Sequence, residues 1–143
     1  MSEINGNAIY HGKGGTAWFN GKLLTTLQSC EAKVTGDFED FNVCDDPATY
    51  SIYNGWTGEG TLTRLKTDSE ILTLMVEAYQ SGVMPEIEII TRVTQKSTGK
   101  VERIKLTGVT ITEFYLAKFE KKAMTEEEIP FKFSDLEVLE TIT

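Results

Sequence analysis

The chain has 143 residues, 40% of them apolar and 25% charged, and carries a formal net charge of −8. That length supports one domain, 1–143, around one hydrophobic core, and the acidic balance argues against specific nucleic-acid binding, which rests on Lys and Arg neutralising phosphates. The longest uncharged apolar stretches, such as Ile71 to Val76, are too short to span a bilayer, so no membrane anchor is expected. The first residues, Met1 to Gly6, lack the basic and apolar regions of a secretory signal, so the expected site of synthesis and residence is the cytoplasm unless something else carries the chain out.

Residues 1–15 hold Gly6, Gly12, Gly14 and Gly15 with little apolar content and read as a flexible N-terminal arm. Asn20-Gly21 lies between Thr16-Ala17-Trp18-Phe19 and Lys22-Leu23-Leu24, a strong hairpin signal because a type I′ turn needs positive φ at both central positions. Residues 26–38 alternate: Cys30, Ala32, Val34 and Phe38 on one face, Ser29, Glu31, Lys33, Thr35 and Asp37 on the other. That pattern predicts a strand with one buried and one wet face. Alternation breaks over 39–50, at Glu39-Asp40, Asp45-Asp46 and Pro47, which predicts a long acidic loop over 37–50. Tyr50 to Lys66 is rich in Thr, Tyr, Trp and Gly and reads as one long bent strand or a hairpin, with Gly55, Gly58 and Gly60 at bulges or bends.

One helix is signalled at about 68–81. Thr67-Asp68-Ser69-Glu70 fits a capping box, Ile71, Leu74, Met75 and Ala78 recur at helical spacing, and Gly82 and Pro85 end it. Beyond Pro85 the chain is strand-like. Ile87, Ile89 and Val93 alternate with Glu86, Glu88 and Arg92, and Lys96 to Lys100 is a turn. Val101 to Thr112 is the partner strand with a bulge at Gly108, and Phe114–Lys121 and Ile129–Val138 form a last pair around Glu126-Glu127-Glu128. Seven or eight strands joined by short turns, with one helix, make a mainly β fold: an antiparallel sandwich or barrel with one flanking helix.

Catalytic and metal patterns do not assemble. His11, the single histidine, falls in the glycine-rich arm with no third group to orient a Cys-His pair with Cys30. Gly6 to Gly14 misses the phosphate-loop spacing by one residue, and Gly14 stands where Ser or Thr must ligate magnesium. Gly12-x-Gly14-x-x-Ala17 lacks the preceding strand of a dinucleotide fingerprint. In the acidic stretch from Asp37 to Asp46, Asp45 occupies the place of the EF-hand glycine, so a solvated loop is the reading. No catalytic residue, cofactor or metal is therefore expected. Cys30 and Cys44, fourteen residues apart, fit no zinc spacing; a bridge is possible in principle, but a cytoplasmic chain favours buried or idle thiols. Trp18, Trp56, Tyr50 and Tyr53 leave a second reading open, a small binding module that stacks a glycan or holds a protein ligand.

The order of a glycine-rich arm, a Trp18-Phe19-Asn20-Gly21 hairpin, the Glu31-Ala32-Lys33-Val34 strand, an acidic loop, Gly58-Glu59-Gly60-Thr61-Leu62-Thr63, one amphipathic helix and terminal hairpins resembles a known family. It is similar to the tail-tube proteins of contractile phage tails and of phage-derived bacteriocin particles, the PBSX-like and diffocin-like elements. The resemblance covers essentially the whole chain. It implies six subunits in a ring, each lending four strands to a central barrel, with rings stacked inside a sheath. The implied partners are the chain itself, the sheath, baseplate and tail-terminator proteins, and the tape-measure protein during assembly. The implied location is the bacterial cytoplasm during assembly, then a virion tail or an extracellular phage-tail-like particle.

The resemblance also assigns residues. The loop reaching the next ring falls on Glu39, Asp40, Phe41, Asp45, Asp46 and Tyr50. The lumen is expected on the wet face of 26–38, Ser29, Glu31, Lys33, Thr35 and Asp37, and the equivalent face of 86–94, Glu86, Glu88 and Arg92. Cys30, Ala32, Val34, Ile87 and Ile89 then form the core face, because a one-residue slip would expose them all. Such a wall is predominantly acidic and would let DNA slide without adhering.

Overall fold

The computed structural model describes residues 15–95 and 98–142. They form nine strands and one helix: β1 Gly15–Phe19, β2 Lys22–Leu23, β3 Leu27–Asn42, β4 Thr49–Leu65, α1 Glu70–Ser81, β5 Ile89–Thr94, β6 Val101–Thr107, β7 Thr110–Ile111, β8 Glu126–Phe133 and β9 Asp135–Glu140. The chain is mainly β, and every pairing is antiparallel. The strands divide into a five-stranded sheet, β2-β1-β5-β6-β9, and a four-stranded sheet, β3-β4-β8-β7. The expected arm lies outside the described residues except for Gly15, which opens β1.

The first hairpin forms as its sequence dictates. Asn20 and Gly21 take φ of 50° and 82°, and Phe19 faces Lys22 across the turn. Ala17 and Phe19 point inward on β1 with Ile89 beside them on β5 and Leu106 on β6; from the other sheet come Leu62, Ile129, Phe131 and Phe133. Full burial of each large side chain among these contributes about 1.5–3 kcal/mol. The helix adds Ile71, Met75 and Ala78, spaced so that one stripe meets this core. The Tyr79 hydroxyl donates to the Ile111 carbonyl at 2.6 Å, and its ring meets Phe114 edge-on at 5.1 Å, tying the helix to β7 and the segment after it. Gly82 ends the helix in the left-handed region, its N–H on the Ala78 carbonyl.

Several expectations need correcting. The capping box is not made: the Ser69 side chain makes no cap bond, and the Asp68 carboxylate instead accepts from the Glu70 N–H at 3.2 Å. Gly108 is not a bulge within one strand. There the chain leaves β6 in one sheet and enters β7 in the other. Ser134 marks the matching crossing from β8 to β9, and its N–H donates to the Thr107 carbonyl at 3.2 Å, so the two corners meet. Residues 112–125 form no strand, and Glu126 to Glu128 are the start of β8 and not a turn. The 98–100 end of the expected turn is present, with Gly99 N–H on the Gln95 carbonyl at 2.9 Å; Lys96 and Ser97 lie outside the described residues.

Candidate functional site

Residues 37–50 are the largest correction. Strand β3 runs on to Asn42 and β4 begins at Thr49, so the expected loop is mostly a paired ribbon, in register from Phe38↔Tyr53 to Asn42↔Thr49. A bulge at Asn54-Gly55 interrupts the ladder, where Asp37 faces Gly55 but Phe38 faces Tyr53. Strand β8 accompanies β4 only from Gly58 onward, so Thr35 to Asn42 and their partners project as two strands alone. Eight residues at strand rise carry the tip about 26 Å beyond the sheet.

Side chains stitch this arm. Ser51 Oγ donates to Asp40 at 2.6 Å, and Thr49 Oγ1 donates to Asn42 Oδ1 at 2.9 Å. At the tip the Asp46 carboxylate accepts from the Tyr50 hydroxyl and from the Ala48 N–H, and both bonds hold its acid below the usual range. Phe41 stacks on Tyr50 on one face and Phe38 packs on Tyr53 on the other, each pair at 5.5 Å between centroids. All four rings stay well exposed, as do Ile52 and Val43. Among the described residues, the Glu39 and Asp45 side chains make no hydrogen bond or ion pair. A two-stranded ribbon is marginal by itself, and one that displays apolar groups on both faces is suited to lie against another protein.

The anticipated wall divides in two. Ser29, Glu31, Lys33, Thr35 and Asp37 do share the outer face of the four-stranded sheet. Register adds residues that the sequence reading passed over: Thr57, Glu59, Thr61 and Thr63 on β4, then Glu126, Glu128 and Lys132 on β8. The acids Glu31, Asp37, Glu59, Glu126 and Glu128 stand against Lys33 and Lys132, a net of −3 per chain. Lys33 pairs with Glu59 across the strands at 3.5 Å. Glu86, Glu88 and Arg92 belong elsewhere. Strand β5 pairs with β1 and β6, so Arg92 and the approach through Glu88 lie on the outer face of the five-stranded sheet. There Glu88 meets Lys105 at 3.9 Å and Arg92 covers the Trp18 ring at 5.1 Å. Glu86, Glu88 and Arg92 therefore share no sheet face with Glu31.

Ile87 and Ile89 are buried as expected, but Cys30, Ala32 and Val34 are exposed in the single chain. They face the sandwich interior at its uncovered side. A cavity of about 530 Å³ opens there between β3 and the five-stranded sheet, its walls including Cys30, Ala32, Val34, Val93, Ile104 and Val138. The residue Cys30 is exposed as a whole, yet its thiol faces this apolar groove, where lost hydration pushes it up to about 11. Cys44 is free at the hairpin tip. The two thiols cannot join within one chain: Asn42 alone is twelve residues up β3 from Cys30, roughly 40 Å, against the less than 7 Å between Cα atoms that a bridge needs.

Trp18 and Trp56 form no common platform. Trp18 lies on the five-stranded sheet, whereas Trp56 lies on the four-stranded sheet against Phe133 at 6.0 Å. The aromatic residues of the binding-module reading are thus split between two sheets, Trp18 on one and Tyr50, Tyr53 and Trp56 on the other. Among the described residues, no three His, Cys, Asp or Glu side chains converge to hold a metal, and no helix is long and apolar enough to cross a membrane.

An acidic sheet face, an uncovered groove and a projecting apolar hairpin define a structural subunit completed by other copies or partners. The phage tail tube protein family matches residues 2–140, and the chain belongs to that family. It is 27% identical over 134 residues to the phage-like element PBSX protein XkdM of Bacillus subtilis (strain 168), covering 92% of this chain and 91% of that one. The fold is similar to solved structures of the anti-feeding prophage tube-terminating cap (TM-score 0.76, 9% identity, 98% and 97% covered). It is likewise similar to a chain of the sheath–tube complex of an extracellular contractile injection system in its extended state (0.74, 8%, 93% of each). A further likeness is to the SPP1 tail tube (0.66, 15%, 94% and 81%).

Proposed function

We propose that the chain is the inner-tube subunit of a contractile phage tail or phage-tail-like bacteriocin. Six copies close a ring, rings stack, and sheath contraction drives the rigid tube through a target envelope. The observation that carries this reading is the family match over residues 2–140. The four-stranded sheet supports it physically. Among the described residues both of its edges, β3 and β7, are unpaired, and closing strands into a barrel across subunits removes such edges.

The lumen is then the outer face of β3-β4-β8-β7, with Ser29, Glu31, Lys33, Thr35 and Asp37 joined by Glu59, Glu128 and Lys132. Repeating its net charge around a ring places like charges within about one Debye length, ~8 Å, so the wall repels phosphate and favours small cations. The hairpin tip, with Glu39, Asp45 and Phe41, makes the contact between rings. The role is mechanical and not enzymatic. Sheath, baseplate, tail-terminator and tape-measure proteins are its partners, first in the host cytoplasm and then in the tail or released particle. Electron microscopy of the concentrated protein, alone and with its sheath protein, tests this: rings and tubes are expected. A monodisperse monomer under both conditions would overturn it.

A further inference from the structure

Building on the tube reading, the two edges of the four-stranded sheet differ in a way that matches. At the β3 edge lies the open apolar groove of about 530 Å³. An apolar cavity of about 150 Å³ already holds a benzene ring, so this groove has room for several side chains. At the β7 edge the chain leaves the sheet at Ile111 and returns to β8 at Glu126. Between them it displays Leu116, Phe119 and Met124 at 71%, 85% and 78% exposure. Three such side chains on one connecting segment are unusual on a lone subunit surface. The segment carries Lys118, Lys121 and Lys122 with Glu113 and Glu120, a net of +1 on a chain of net −8, so it meets no overall repulsion from another copy.

We propose that residues 113–124 of one copy fill the groove between β3 and the five-stranded sheet of the next copy in the ring. Pairing β3 of one subunit with the β7 edge of its neighbour brings the segment, which follows β7 directly, to the mouth of the groove. The contact is head-to-tail, so each subunit offers its segment on one side and its groove on the other, and the arrangement closes by rotation. Filling the groove completes the sandwich: Cys30, Ala32, Val34 and Val138 lose the exposure that they have in the single chain. The segment of the same chain is held at the far half of the sheet by β7 and β8.

Cysteine pairing tests the contact. In a Cys44→Ser background, Phe119→Cys places a second thiol opposite Cys30 of the next copy. Oxidising assembled tubes with copper–phenanthroline should give a ladder of linked chains up to the ring size on a non-reducing gel. Adding Cys30→Ser should return the chains to monomers. Tubes visible by microscopy whose chains stay monomeric after oxidation would overturn the proposal. Phe119→Asp gives an independent reading: it should leave subunit melting unchanged while raising the concentration needed for assembly roughly tenfold or more. Unaltered assembly of that variant would overturn the proposal. A parent chain that forms no tubes would overturn the tube reading and this contact with it.

Discussion

Arg64 is the one buried charge among the described residues, 5% exposed, and it holds three elements together. Its Nε donates to Glu127 Oε1 on β8 at 2.7 Å, and its other arm reaches Asp68, before the helix, at 3.3 Å. The Arg64 and Glu127 side chains are 6% and 11% exposed, whereas Asp68 is 39% exposed. Removing one partner of a buried pair typically costs about 3–5 kcal/mol, because the other charge stays buried. For Glu127→Ala, Asp68 remains to share the guanidinium charge, which reduces the expected loss to about 2–3 kcal/mol. With an unfolding entropy of about 2 cal/mol/K per residue, roughly 0.3 kcal/mol/K for this chain, the melting temperature falls by about 7–10 °C. Arg64→Ala should lose about 3 kcal/mol, and the double variant Arg64→Met with Glu127→Leu should sit within about 1 kcal/mol of the parent. Urea titration of the dissociated subunit gives these values, and a double-mutant cycle on the alanine variants should show at least about 1.5 kcal/mol of coupling. Coupling below about 0.5 kcal/mol would refute the clamp.

Replacing residues 37–55 with a two-residue turn should leave a folded subunit that forms rings but no long tubes; normal stacking of that variant would remove the hairpin from the inter-ring contact. Gly60→Ala puts a Cβ into the Glu31 carbonyl and the Phe131 ring, and overpacking of that kind should lower stability by about 1–3 kcal/mol in the same titration. Cys30, with its thiol pushed from 9.0 to about 11, should hold about a hundredfold less thiolate at pH 8 than a thiol titrating at 9.0. Its alkylation should climb steadily between pH 8 and pH 11, and a plateau by pH 9.5 would contradict the apolar surroundings. The unfolded thiol ionises first, so Cys30 weakens the fold as pH rises from about 9 to 11.

Alternation identified which residues share a face but not which sheet a strand joins. The wet faces of β3 and of the approach to β5 have the same period and the same acidic composition, yet one chain crossing separates them by the thickness of the sandwich. Pairing is a long-range property that residues 86–94 do not encode alone. Register found Glu59 and Glu128 opposite Lys132 and Thr63; Thr61-Leu62-Thr63-Arg64 alternates visibly, but Glu126 to Glu128 resemble a turn until β4 is set beside them. The hairpin tip was misread because Asp45, Asp46 and Pro47 break the period, while Asp40, Asn42, Thr49 and Ser51 hold the strands with side-chain bonds that no periodicity signals. The helix and the Asn20-Gly21 turn were legible because their determinants are local: an apolar stripe, a terminating glycine and two residues tolerant of positive φ. Cys30, Ala32 and Val34 read as core because they face it; among the described residues of the single chain nothing covers that side.

A helical reconstruction of the assembled tube at side-chain detail decides which sheet faces the lumen. Six-membered rings are expected whose inner wall is the β3-β4-β8-β7 sheet, with Glu31, Glu59 and Glu128 facing the lumen and Glu88 and Arg92 away from it. An inner wall formed by the β2-β1-β5-β6-β9 sheet, with Arg92 and Lys105 toward the lumen, would contradict it.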